Sequence, residues 1–246
     1  MSSPCFAVEL ITFDAGGTLL TLRPDQAREW SLVLDELGLA VPEERIAAAL
    51  QRERPLAAAR RARTVPPSHA VTVEAGEERR CRFIANVLRE AGVAPDALPR
   101  AQEAIKGALD SARMYVAYPD ALPALHALWE RGLKLGVVTN AWPSLPRILL
   151  DLGFGEYLGF WVVSELIGVE KPGPAIFERA LEIGGTPPER ALQVGDDLRT
   201  DVAGARAAGM QAVLLDRSGG AEAAESAAAL DVPVIRTLAV LPDLIP

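Results

Sequence analysis

The chain has 246 residues, of which 50% are hydrophobic and 24% charged, enough for one or two domains around a sizeable core and too apolar for wholesale disorder. Its net charge of −8 argues against nucleic-acid binding, and no apolar run approaches the roughly 20 residues that span a bilayer. Cys5 and Cys81 are too few for a disulfide framework or a zinc site, and Met1-Ser2-Ser3-Pro4 lacks the basic region of a signal peptide, so the expected location is the cytoplasm, with no membrane partner.

Along the chain, Val8 to Phe13 reads as a buried strand that Asp14 closes, and Asp14-Ala15-Gly16-Gly17-Thr18-Leu19 as a tight turn. A carboxylate at that edge lies where open α/β sheets bind ligands, and Gly16 and Gly17 leave amides free to face an anion. Alone, Asp14 reads equally well as a turn former or helix cap.

About 95 residues of helical pattern follow. Asp25 to Leu37 repeats Trp30, Val33, Leu34 and Leu37 at helical spacing and stops at Gly38. Pro42 opens a second helix toward Arg54, Glu77 to Ala91 forms a third ended by Gly92, and Pro99 to Met114 a fourth. Thr64 to Ser68, with its two prolines, is a loop. Five arginines and one acid run through Arg52-Glu53-Arg54 and Arg60-Arg61-Ala62-Arg63; they make either an anion grip or, on the simpler reading, a solvated helix face. From Leu22 to Tyr118 there are 15 basic and 14 acidic residues, so the remainder carries about −9.

From Pro119 helix and strand alternate. Pro123 to Arg131 is a helix, Leu133 to Thr139 a strand, and Ala175 to Leu181 a helix. Phe160 to Ser164, Ala191 to Gly195, Gln211 to Leu215 and Val232 to Arg236 are further strands, and Ser218 to Ala229 a surface turn with a short helix. The alternation indicates an α/β fold: a doubly wound, parallel-sheet, Rossmann-like core over residues 1–22 plus 117–246, interrupted by an α-helical insert over 23–116.

Four segments carry chemistry. After the Asp14 turn, Leu135 to Asn140 is a strand ending in Thr139 and Asn140, Val169 to Pro174 holds Lys171 before a Pro-rich turn, and Ala191 to Asp197 ends in Asp196 and Asp197, with Asp201 beyond. In this order and spacing they resemble the haloacid dehalogenase superfamily of aspartate-nucleophile hydrolases. The resemblance implies a helical cap over 23–116 that closes on the active site, and a phosphatase acting through an aspartyl-phosphate at Asp14. It further implies a Mg²⁺ ion held by Asp14, the Gly16 carbonyl and Asp196, with Lys171 and Thr139 catalytic. Thr139, Asn140, Gly17 and Lys171 would hold the substrate, and Thr18, Asp197 and Asp201 would support them. For Asp197 and Asp201 a helix N-cap role is an equal alternative. The implied partner is a small phosphorylated molecule; nothing in the chain indicates its oligomeric state.

The sequence departs from the pattern at Gly16. Phosphatases of the superfamily usually carry there a second Asp that protonates the leaving oxygen, and such help is worth about 10²–10⁴ in rate. Two other readings therefore stand: a 2-haloacid dehalogenase, for which Trp142 lies near the mouth, and a catalytically weak binding module. A phosphonatase would need a Schiff-base lysine in the insert, whose only lysine is Lys106. His69 and His126 lie outside the motifs.

Overall fold

A computed structural model of the chain describes residues 6–64, 68–220 and 231–245, with side chains to 61 in the first span. In chain order it contains β1 (Leu10–Phe13), β2 (Leu20–Leu22), α1 (Gln26–Asp35), α2 (Glu43–Thr64), α3 (Val73–Ala91), α4 (Leu98–Leu109) and β3 (Tyr115–Ala117). There follow α5 (Ala121–Glu130), β4 (Lys134–Thr139), α6 (Leu145–Asp151), β5 (Phe160–Val163), α7 (Ser164–Ile167), α8 (Pro174–Gly184), β6 (Ala191–Gly195), α9 (Gly204–Ala207), β7 (Gln211–Leu215) and β8 (Val234–Ile235). Two compact units result, Met1–Thr21 with Ala117–Pro246, and Leu22–Val116. The chain passes between them at β2 and β3, which pair in a two-stranded sheet.

The first unit is a six-stranded sheet in the order β5-β4-β1-β6-β7-β8, parallel at every pairing. β1 lies between β4 and β6 and is covered on both faces, which is why its run has no polar alternation apart from Thr12. Successive strands run outward from β1 on one side through β4 and β5, and on the other through β6, β7 and β8. β1 therefore marks the switch point of the sheet, and its carboxyl edge is the crevice where such folds take ligands. Leu10, Val138, Val162, Ala191, Ala212 and Leu214 line one face against Ile176, Phe177 and Ala180 of α8 and Ala205 of α9. The sheet and its flanking helices are those of the doubly wound α/β class expected above.

The second unit packs α1 to α4 against one another. Trp30, fully buried on α1, meets Phe83 of α3 edge-on, with centroids 6.5 Å apart. Thr72 caps α3 by accepting from the Ala75 amide, and Gly92 ends it in the left-handed conformation at φ 89°.

Several boundaries differ from the pattern reading. α2 runs past Arg54 and through Pro55 to Thr64; alanines at 57–59 favour helix, and Arg60 bonds back to Glu53 across two turns. α3 begins at Val73 rather than Glu77, because Thr72 supplies a cap four residues earlier. α4 stops at Leu109, where Ser111 turns extended and its hydroxyl donates to the Ala108 carbonyl; Ala112–Met114 is a separate 3-10 turn. β8 shrinks to two residues since Pro233 has no N–H to give the ladder. Of the Ser218 to Ala229 segment, Ser218 and Gly219 fold onto the Asp216 carboxylate, and 221–229 lie outside the described residues, as do most of the Thr64–Ser68 loop, Cys5 and the first four residues.

Thr72→Ala should lower unfolding free energy by about 1 kcal/mol without changing the fold, read as a shift of the urea midpoint at constant slope.

Candidate active site

Most of the chemical groups arrive from the carboxyl ends of the central strands. Asp14 follows β1, Thr139 and Asn140 end and follow β4, and Asp196 follows β6. Lys171 comes from the turn between α7 and α8. Asp14 is tied into the sheet by its amide, which donates to the Val194 carbonyl at 2.9 Å. The following loop folds on itself: the amides of Leu19 and Leu20 donate to the Ala15 carbonyl at 2.9 and 3.0 Å, and that of Gly17 to Leu20 at 2.9 Å.

Lys171 sits at the centre of the site, only 3% exposed. Its three ammonium protons have three acceptors: Asp14 Oδ1 at 2.7 Å, Asp201 Oδ1 at 2.5 Å and the Val138 carbonyl at 2.9 Å. Burial works against its charge, but the carboxylates of Asp14 and Asp201 outweigh it and hold the pKa above the ordinary lysine value. Lys171 is therefore a fixed cation beside Asp14. Its backbone is clamped by the Asn140 carboxamide, which accepts from the Lys171 amide at 2.7 Å and donates to its carbonyl at 2.9 Å. The Asn140 side chain is thus engaged in bracing that turn. Thr139 is buried at the end of β4.

Asp14, Asp196 and Asp201 each bring a carboxylate oxygen within 4.8 Å of the others. Asp201 is saturated: Oδ1 takes Lys171 and Gln193, and Oδ2 takes the Asp197 amide at 3.2 Å. Ionised Asp196 is favoured only by the Lys171 charge and its own amide. Desolvation at the sheet edge, then the negative charges of Asp14 and Asp201, push its pKa up to about 7, even though part of its side chain stays exposed. A cation between Asp14 and Asp196 would relieve that repulsion, so the donor set suits a hard divalent ion. Backbone closeness points the same way. At Gly17, with φ 85°, a Cβ would lie 2.1 Å from Asp196 Oδ2, and at Gly195 one would lie 2.2 Å from Asp201 Cγ, so both carboxylates are seated against bare backbone. At Gly16 a Cβ would meet nothing within 4 Å.

Asp197 caps the turn Leu198–Ala203, accepting from the amides of Arg199 and Thr200 at 2.9 and 2.6 Å. Thr18 is buried in the Asp14 loop, and its carbonyl accepts from Arg217 Nη2 at 2.8 Å. That arginine also donates to the Gly17 carbonyl, lies 3.8 Å from the Tyr118 ring centroid and forms a two-pronged pair with Asp120 at 2.9 Å. Asp120 in turn accepts from Thr237 and the Leu238 amide. Sequence reading passed over Arg217, Asp120, Thr12 and Gln193. The last two carried a signal: each is a polar residue inside an otherwise apolar strand run.

Three arginines of the Arg52–Arg63 run have partners within the helical unit. Arg52 pairs with Glu90 at 2.7 Å, Arg54 donates to Gln26, and Arg60 to the buried Glu53, which also takes Asn86. The Arg63 side chain lies outside the described ones. Lys106 bonds Glu77, a contact that raises its pKa and so opposes a Schiff-base role. His126 lies 3.6 Å from Glu130 on α5. Among the described residues no helix is long and apolar enough to cross a membrane.

Fold and site together define a Rossmann-like α/β protein with a carboxylate–lysine centre at the sheet's switch point. The haloacid dehalogenase-like hydrolase family matches residues 8–209, and the chain belongs to that family. It is similar to a phosphoserine phosphatase of Thermus thermophilus, 37% identical over 155 residues, or 63% of this chain and 61% of that protein. A glyceraldehyde 3-phosphate phosphatase of Methanopyrus kandleri is 45% identical over 105 residues, 41% of this chain and 43% of the relative. The matches thus span under two thirds of these curated relatives. The solved 2-haloacid dehalogenase from Pseudomonas syringae pv. Tomato DC3000 is 27% identical, covering 96% of this chain and 97% of its own, with a TM-score of 0.61.

The raised Asp196 pKa makes a test of the ion-free site. Folded Asp196 holds its proton up to about pH 7, whereas an unfolded aspartate releases it near about 4. Rising pH across that window favours the unfolded chain, so this contribution falls between the two values and is constant above them. In EDTA the melting temperature should drop from about pH 5 to about pH 7.5, less so in Asp196→Asn. Added divalent cation should recover most at the alkaline end; a flat profile would contradict the charge crowding described.

Proposed function

We propose that the chain is a Mg²⁺-dependent phosphatase of a small phosphorylated metabolite, working in the cytoplasm through an aspartyl-phosphate at Asp14. The observation that carries this reading is the Asp14–Lys171 pair, 2.7 Å apart and buried at the end of the central strand, with Asp196 beside it. Both curated relatives named above are phosphatases.

In this scheme an Asp14 oxygen attacks phosphorus and the bond from phosphorus to the leaving oxygen breaks. Water then attacks phosphorus, releasing inorganic phosphate and restoring Asp14. Lys171 keeps its positive charge throughout and orients Asp14. The Thr139 hydroxyl and the Gly16 amide are the proposed donors to the phosphoryl oxygens, the Gly17 amide being given already to the Leu20 carbonyl, and the Lys171 charge lies beside Asp14. Asp14, Asp196 and the Gly16 carbonyl would hold Mg²⁺, which supplies charge neutralisation when one anion approaches another. The segment 23–116, inserted just after the Asp14 loop, is the proposed cap that selects the substrate. Gly16 offers no proton, so the substrate has a leaving group acidic enough to depart without one.

The test is phosphate release from p-nitrophenyl phosphate with Mg²⁺ and with EDTA. Turnover should require the metal and vanish in Asp14→Asn; substantial residual activity in that variant would remove Asp14 as nucleophile. Open space at Gly16 allows Gly16→Asp to place an acid there, and alkyl phosphate hydrolysis should rise at least about tenfold. An unchanged rate would mean that leaving-group protonation is not the missing element. The similarity to a solved 2-haloacid dehalogenase favours a second reading, in which Asp14 displaces halide without metal. Chloride release from 2-chloropropionate in EDTA would select it; the crowding of Asp196 against two other carboxylates weighs against it.

A further inference from the structure

Thr12 and Gln193 are fully buried neighbours on the two central strands, in direct register across β1 and β6. Both sit on the face that packs α8 and α9, where Leu10, Val138, Ala191 and Leu214 are apolar. A hydroxyl and a carboxamide there gain little stability over apolar residues of the same shape, so their presence needs another reason. Their hydrogen bonds have a direction. The Thr12 hydroxyl donates to Gln193 Oε1 at 2.6 Å, and Gln193 Nε2 donates to Asp201 Oδ1 at 3.2 Å. The same Oδ1 accepts from Lys171 at 2.5 Å, and Lys171 reaches Asp14 at 2.7 Å. A buried line of contacts therefore runs from the middle of the sheet to the proposed nucleophile.

We propose that Gln193 is a positioning residue for the active site, and that Thr12 anchors the far end of its carboxamide. A glutamine amide is nearly symmetric in shape, and reversing it would aim a carbonyl oxygen at a carboxylate. The Asp201 carboxylate, paired with Lys171, only accepts and so takes Nε2, and the Thr12 hydroxyl, which also lies 3.4 Å from the Leu192 carbonyl, donates to the Oε1 that is left. With two donors on Oδ1 and the Asp197 amide on Oδ2, the Asp201 carboxylate has one orientation, and Lys171 is seated through it. Gln193 touches no substrate; it acts through Asp201 and Lys171. The kinetic side of this inference rests on the aspartyl-phosphate reading.

The experiment compares Thr12→Val, Thr12→Ser, Gln193→Leu and the Thr12→Val/Gln193→Leu double variant. With p-nitrophenyl phosphate and Mg²⁺, Thr12→Val and Gln193→Leu should each lower kcat about tenfold at nearly constant KM. The double variant should be no worse than Gln193→Leu, because both changes break one line. Thr12→Ser keeps the hydroxyl and should keep kcat. Melting temperatures should not follow kcat, with Gln193→Leu as stable as the parent. Full kcat in Gln193→Leu, losses that multiply in the double variant, or kcat that tracks melting temperature would overturn the proposal. Crystal structures of the parent and Gln193→Leu decide it without turnover. Rotation of the Asp201 carboxylate with displacement of Lys171 from Asp14 supports it, and unmoved groups refute it. Failure of the parent to hydrolyse p-nitrophenyl phosphate would count against the phosphatase reading alone, leaving the crystallographic comparison to judge the positioning.

Discussion

The ammonium of Lys171, shared between Asp14 and Asp201 inside the protein, is the interaction on which the site depends. A buried lysine is costly unless its charge and all three protons are matched, and here two carboxylates and the Val138 carbonyl match them. Each partner comes from a different part of the chain: Asp14 from β1, Val138 from β4, Asp201 from the turn after β6. The ion triad can form only when the parallel order β4-β1-β6 is complete. Fold and site are thus coupled through one cation, and loss of a single partner would strand a buried charge.

Around that cation the backbone is held from two sides. Asn140 clamps the Lys171 peptide unit from the end of β4. Arg217, after β7, holds the carbonyls of Gly17 and Thr18 while Asp120 and the Tyr118 ring hold Arg217. Both devices fix main-chain groups, one at the Lys171 turn and the other at the Asp14 loop. Preorganisation of this kind costs little at the moment of reaction, since donors and charges already stand where they are needed.

Much of this arrangement was legible in the sequence, for identifiable reasons. Strands β1, β4 and β6 announce themselves as short apolar runs, and polar residues at their ends have few roles other than at the sheet edge. Lys171 stood out as the lone lysine before a Pro-rich turn in the third of the four segments. What could not be read were pairings between residues distant in the chain. Arg217 bonds a loop some 200 positions earlier, and Thr12 bonds a residue 181 positions later. Helix ends failed where local chemistry outranked periodicity, as with the Thr72 cap and the passage of α2 through Pro55. Asp197 and Asp201 looked alike in sequence, yet one caps a turn at the surface and the other is buried against Lys171.

Two adjacent glycines show how such a scaffold can hold one part of its chemistry fixed while another varies. Gly17 is bound by geometry: its left-handed φ of 85° and the Asp196 carboxylate against it leave no room for a side chain. Gly16 has no such constraint, since a side chain there would enter open space. The charge arrangement of Asp14, Lys171 and Asp196 is therefore built into the backbone, whereas the group that would serve the leaving oxygen hangs on a single unconstrained position. On the proposed phosphatase reading, substitution at that position would alter which leaving groups can depart and leave the buried network untouched. On that reading one scaffold would in this way support reactions that differ in their need for a proton, with that need met or not at position 16 and charge neutralisation set by the sheet.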